Sequence, residues 1–164
     1  MLRMLAVVTV TLWAGPVLSC SVEGGQTTLS ELAAATNVVR ARQGGKPLGL
    51  DPALMRTAQR HACDIARRQV ITHQDAQGRR PMKRLRQDGF RACFSAENVA
   101  MGLPGAGATV GAWQASPGHA RNHHDHRASV MGFGVARDPA GRLWWVGLYA
   151  SSCEMMAQRS VPSG

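Results

Sequence analysis

The chain has 164 residues, 45% of them hydrophobic and 18% charged, with 19 Lys and Arg against 10 Asp and Glu and a net charge of +9. That hydrophobic share excludes a disordered chain, and the length bounds the answer to about one domain with its own core. Four cysteines with no CxxC spacing argue against a thiolate metal site, and the basic balance favours an anionic envelope surface over nucleic acid as a partner, or simply a solvated basic face.

Residues 1–19 read as a signal peptide. Arg3 gives the positive start, "MLAVVTVTLWA" the apolar run, and Gly15-Pro16 the break before small residues at the cleavage site. The run is too short to span a bilayer well, and no later stretch is long enough, so no transmembrane helix remains after signal removal. Cleavage before Cys20 leaves a short leader at 20–26 and a secreted or periplasmic product. Losing Arg3 lowers the basic count from 19 to 18, a net +8 against 10 acids. "VLSC" also loosely fits a lipobox, the alternative in which Cys20 is acylated and the protein is lipid-anchored.

A helix is predicted over 27–45, with a stripe of Leu32, Ala35, Thr36 and Val39 and a stop at Gly44-Gly45. Asp51 caps a second helix, 52–69, with Pro52 at its first position. One face of that helix carries Leu54, Ala58, His61, Ala62 and Ile65, and the other carries Arg56, Arg60, Arg67 and Arg68. His61 therefore reads as a buried, hydrogen-bonded histidine. A polar loop leads into a short basic helix ending at Gly89. A strand follows at 94–101 and a helix at 109–115. Strands at 129–138 and 142–150, joined by a short Pro/Gly turn, form an antiparallel hairpin. Trp113, Trp144 and Trp145 read as core. The domain spans 27–153, and 154–164 reads as a flexible tail. Helices early and strands late give an α+β fold.

"THQD", "AENVA", "SPGH" and "GFGVA", in this order between residues 37 and 149, resemble the CAP superfamily in its bacterial, SCP-like form. The superfamily includes cysteine-rich secretory proteins, antigen 5 and pathogenesis-related proteins. The resemblance implies a three-layer α-β-α sandwich with a small antiparallel sheet. It also implies a cleft usually lined by two His and two Glu: here His73, Glu97 and His119, with Val130 where bacterial relatives often have the fourth residue, a Glu. Asn98, Ser116 and Asn122 are the expected supporting residues. Lipid or sterol ligands are among those the resemblance implies.

Two imidazoles and a carboxylate suit Zn²⁺ or another divalent metal, which would make His73, His119 and Glu97 its ligands, although nothing in the sequence requires a cofactor. The competing reading is that the three brace the cleft by hydrogen bonds. No nucleophile is evident, so a binding or scaffold module is favoured over an enzyme. The rival is a metal-dependent hydrolase acting on protein or envelope polymer. Glu97 is expected to be partly exposed. Oligomeric state is not legible.

Four of the six histidines fall in "SPGHARNHHDH". His119 belongs to the cleft, whereas His123, His124 and His126 read as a solvated patch, or else as a second metal-binding or acid-sensing surface. Spacing alone allows three disulfide connectivities. Helix-on-sheet packing and close termini favour Cys63–Cys93 and Cys20–Cys153.

Overall fold

The computed structural model describes Cys20 and residues 25–159. The signal peptide and its cleavage, most of the leader, and 160–164 of the expected tail lie outside the described residues.

Among the described residues, six helices and four strands follow in the order α1 (Gly25–Arg42), β1 (Gly49–Leu50), α2 (Pro52–Arg68), α3 (Pro81–Gln87), β2 (Ala92–Met101), α4 (Ala106–Ala115), α5 (Pro117–His124), β3 (Val130–Arg137), β4 (Leu143–Ser152) and α6 (Cys153–Arg159). The sheet order is β1-β3-β4-β2. The β3–β4 and β4–β2 pairs are antiparallel, and β1 adds a two-residue parallel edge that no sequence pattern marks. Residues 153–159 are helical, where the sequence suggested a tail beginning at 154.

Alternation along the strands sorts the core into two halves. Met131, Phe133, Val135, Trp145 and Tyr149 face α1 and α4 with Trp113. Trp144, Val146, Leu148, Ala150 and Val99 face α2 and α3 with Leu54, Ala58, Ile65 and Leu85. The result is a three-layer sandwich with α1, α4 and α5 on one side and α2 and α3 on the other. α2 begins where Asp51 Oδ1 accepts from the N–H groups of Ala53 (2.8 Å) and Leu54 (3.1 Å), satisfying donors that the first turn leaves free.

Two glycines set how closely α2 approaches the sheet. A Cβ on Gly132 would lie 2.5 Å from the Leu54 backbone, and one on Gly134 would lie 2.4 Å from that of Ala58. The motif "GFG" thus gives its large residue, Phe133, to one layer and two flat positions to the other.

The disulfides differ from the expected pairing. Cys20 bonds Cys63, and Cys93 bonds Cys153. Cys63 lies on the β3 side of α2, where Gln59 bridges its Sγ to the Val135 carbonyl and Cys20 packs on the same core. The β2 register instead brings Ala92 opposite Ser152, so Cys93 meets the residue that follows β4. A bulge between Ala92 and Phe94 breaks the alternation there.

Candidate functional site

β2 is an edge strand, and consecutive residues on it address opposite layers. Glu97 points toward α2 and α3, where its side chain is 1% exposed. Its Oε2 accepts from Arg84 Nη2, and its Oε1 accepts from His73 Nδ1 at 2.9 Å. His61 Nε2 lies 3.7 Å from the same Oε1 while donating to the Thr72 carbonyl at 2.9 Å. Glu97 is therefore buried, contrary to the partial exposure expected.

Arg84 organises this side. Besides holding Glu97, its Nη1 donates to the carbonyls of His73 (2.8 Å) and Arg79 (2.7 Å), tying down the loop that carries His73. Asp75 closes the loop by accepting from the N–H groups of Gln77 and Arg79 and from Arg79 Nε. Burial pushes the Asp75 carboxyl up, but those donors outweigh it and hold the carboxyl below its ordinary value. Burial, ahead of every other influence, pushes the His61 imidazole down, so the ring is neutral and its Nδ1 is buried without a partner among the described residues.

Asn98 faces the other layer, where α5 carries His119. Asn98 Nδ2 donates to the His119 carbonyl at 3.1 Å, and Asn122 Nδ2 donates to Asn98 Oδ1 (2.8 Å) and to the Glu97 carbonyl (3.1 Å). This net fixes α5 against β2. Ser116 contributes its carbonyl, which accepts from the Ala120 N–H, and makes no side-chain cap. The His119 ring is half-buried. Burial first, and then the neighbouring His73, push its pKa below the ordinary value. His73 and His119 come to the β2 edge of the sheet from opposite layers, near enough for a charge on His73 to disfavour one on His119. Val130 stands opposite Ala150 at the start of β3 and packs on the α2-side core.

The three residues do not form the expected ligand set. Both Glu97 oxygens are taken, and the Arg84 guanidinium stands where a cation would neutralise the carboxylate. Among the described residues, no group of three or more His, Cys, Asp and Glu is placed to hold a metal ion. Glu97 does not fit as a metal ligand. Its hydrogen bond to Nδ1 fixes the tautomer and orientation of the His73 ring.

The remaining histidines do not make a surface patch. His123 is fully buried, its ring centroid 5.4 Å from that of Tyr149 and 5.8 Å from that of Trp113. Neither ring nitrogen has a partner among the described residues. Burial, helped by nearby His124, His119 and Arg40, pushes its pKa down to about 4. His124 is half-buried and pairs with Gln114 Oε1 at 3.0 Å, and His126 alone is exposed. A surface reading failed because the face of α5 opposite solvent continues one turn beyond His119 into the core.

Arg84 escaped the sequence reading. It sits in a basic run with Arg79, Arg80, Lys83 and Arg86, and composition does not distinguish it. Its one signal is helical spacing, since Pro81, Arg84, Leu85 and Asp88 recur at i, i+3, i+4 and i+7.

A sequence model of the cysteine-rich secretory protein family (CAP) matches residues 33–149. The uncharacterized protein YkwD of Bacillus subtilis is 28% identical over 109 residues, which are 66% of this chain and 42% of that protein. This chain therefore spans under half the length of that relative. Two solved structures share the fold. An extracellular SCP-domain protein of Bacillus anthracis superposes with a TM-score of 0.71 at 19% identity, over 77% of this chain and 41% of that one. An outer surface protein of Borrelia burgdorferi superposes with a TM-score of 0.70 at 21% identity, over 75% and 91%. With the matched segment holding both cleft histidines, Glu97 and the two asparagines that brace it, the chain belongs to the cysteine-rich secretory protein (CAP) family.

Proposed function

We propose that this chain is an exported envelope module, with residues 1–19 removed as a signal peptide and 27–153 forming the domain, and that it binds a ligand rather than catalysing a reaction. One observation carries the reading: the Arg84–Glu97–His73 chain consumes both oxygens of the cleft carboxylate. A hydrolase built on this carboxylate needs it free as a base or as one of three metal ligands, and Glu97 serves as neither. His73 Nε2 and the half-exposed His119 ring remain, two imidazoles whose ring nitrogens accept from a hydroxyl or donate to a carbonyl. A hydroxyl-bearing lipid, such as a sterol, suits them better than a divalent ion. The disulfides and the extracellular setting of the Bacillus anthracis structure support export. A thioether-linked lipid on Cys20 and the Cys20–Cys63 bond use the same sulfur, so the anchored form excludes that bridge.

The test is histidine NMR on untagged protein. A hydroxyl-bearing sterol should shift the His73 and His119 ring signals and spare His126, and Zn²⁺ should bind weakly beside it. Chelator-sensitive cleavage of a protein or envelope-polymer substrate, lost in His119→Ala, would replace this reading with the hydrolase.

A further inference from the structure

The basic surplus of this chain is concentrated and one-sided. Between residues 51 and 97 there are ten Lys and Arg against five Asp and Glu. Arg56, Arg60, Arg67, Arg68, Arg80, Lys83, Arg86 and Arg91 are exposed, while Asp51, Asp64, Asp75, Asp88 and Glu97 are all buried or half-buried. The exposed cations outnumber the less exposed acids, so this surface carries a net positive charge.

The cations are also ordered. Arg56, Arg60 and Arg67 share one face of α2, at successive rises of about 6 and 10 Å along the axis. A groove of about 630 Å³ runs between this face and the 75–79 loop, with Arg60, Arg67 and Arg79 in its walls. A second groove of about 370 Å³, lined by Arg56 together with Leu29 and Met55, meets the first at Gln59 and Arg60. The carboxylates in the larger groove are already matched. Asp64 pairs with Arg68 at 2.7 Å and Arg67 at 3.8 Å, Asp75 with Arg79 at 2.6 Å, and Asp88 with Arg60. Arg56 has no ion-pair partner among the described residues.

We propose that the outer face of α2, from Arg56 through Arg60 to Arg67, is a binding groove for a linear acidic polysaccharide, separate from the His73–His119 cleft. The shape selects a strand over a plane, because a flat lipid surface does not enter a groove between a helix and a loop. The lining selects a sugar polymer over a nucleic acid. Gln77 and Gln87, whose oxygens accept from Arg79, offer their amide N–H groups to hydroxyls, and among the described residues none of the exposed large hydrophobic ones is aromatic, so no stacking platform for bases accompanies the arginines. Carboxylate or sulfate groups along the strand would meet the guanidinium row, which forms bidentate hydrogen bonds with such oxygens.

The experiment measures binding of fluorescent heparin, as the probe polysaccharide, to the disulfide-intact protein at low and moderate salt. Arg56→Gln/Arg60→Gln/Arg67→Gln should weaken binding at least about tenfold and flatten its salt dependence. Arg80→Gln/Lys83→Gln/Arg91→Gln removes the same charge from positions outside the groove and should stay within about twofold. Arg56→Gln/Arg67→Gln keeps the Arg60–Asp88 pair and should still weaken binding measurably if the triple variant fails to fold. Equal losses from the two triples would overturn the groove in favour of net charge. Tighter binding to phosphatidylglycerol vesicles than to heparin, lost in the Arg56/Arg60/Arg67 variant, would assign the face to a lipid surface, and no binding of the parent protein would end the proposal.

Discussion

Arg84 and Glu97 form a buried ion pair at the edge of the sheet, the arginine from α3 and the glutamate from β2, with side chains 7% and 1% exposed. The pair is closed by His73 on the free carboxylate oxygen and by two loop carbonyls on the guanidinium. Its energetics differ from those of a surface bridge, because breaking it strands a charge where water does not reach.

Removing either partner should therefore be costly. Arg84→Met and Glu97→Gln should each lower stability by about 3–5 kcal/mol, against the ~1 kcal/mol of an exposed pair. The double variant Arg84→Met/Glu97→Leu should lose much less than the sum of the singles, because it leaves no orphaned charge. Urea unfolding reads both, and additive losses would show that the two residues act independently.

Acid should loosen α5. The His123 pKa lies at about 4 in the folded chain against 6.5 unfolded, so the ring contributes most above pH 6.5 and its contribution falls as pH drops toward 4. A depression of this size corresponds to roughly 3 kcal/mol. His61, His119 and His124 are also shifted downward, so they act with the same sign. Stability measured between pH 7 and 4 should fall steeply in the parent and less steeply in His123→Leu. Identical slopes would mean that His123 is already solvated.

Gly134→Ala should destabilise by at least about 3 kcal/mol, because its methyl group meets the α2 backbone, which no side-chain rotation relieves. Gly107→Ala, where nothing lies within 4 Å, is the control and should be neutral or slightly stabilising. Thermal unfolding separates the two.

Non-reducing peptide maps should recover Cys20–Cys63 and Cys93–Cys153. Replacing either pair by serine should cost about 4 kcal/mol, since the closed loops, with sequence separations of 43 and 60, are similar in length. A Cys63–Cys93 peptide would restore the pairing expected from the sequence.

What the sequence revealed and what it hid divide along physical lines. Asp51-Pro52 marks the start of α2 by local chemistry, and the alternation around Trp144 and Trp145 marks a strand by period; both are read without tertiary information. The Cys93–Cys153 pair depends instead on a strand register, and β1 is too short to carry a period. His123 and Arg84 are polar residues turned inward by short, mostly polar helices that hold few apolar side chains (Met82 and Leu85 in α3, Ala120 in α5), so composition hides them. At the edge of the sheet, the "THQD" and "SPGH" motifs mark the loop that carries His73 and the helix that carries His119. Whether Glu97 was free or occupied was decided by an arginine that no motif includes.

The edge position of β2 has a mechanical consequence. His73 rides on the loop between α2 and α3, and His119 on α5, so the two imidazoles belong to layers on opposite faces of the sheet. A ligand gripping both would act as a clasp across the sandwich. Its presence would be felt far from the cleft, as slower amide exchange in α2 and α5 together, and the dissociation rate of the ligand would set how often the layers part at that edge.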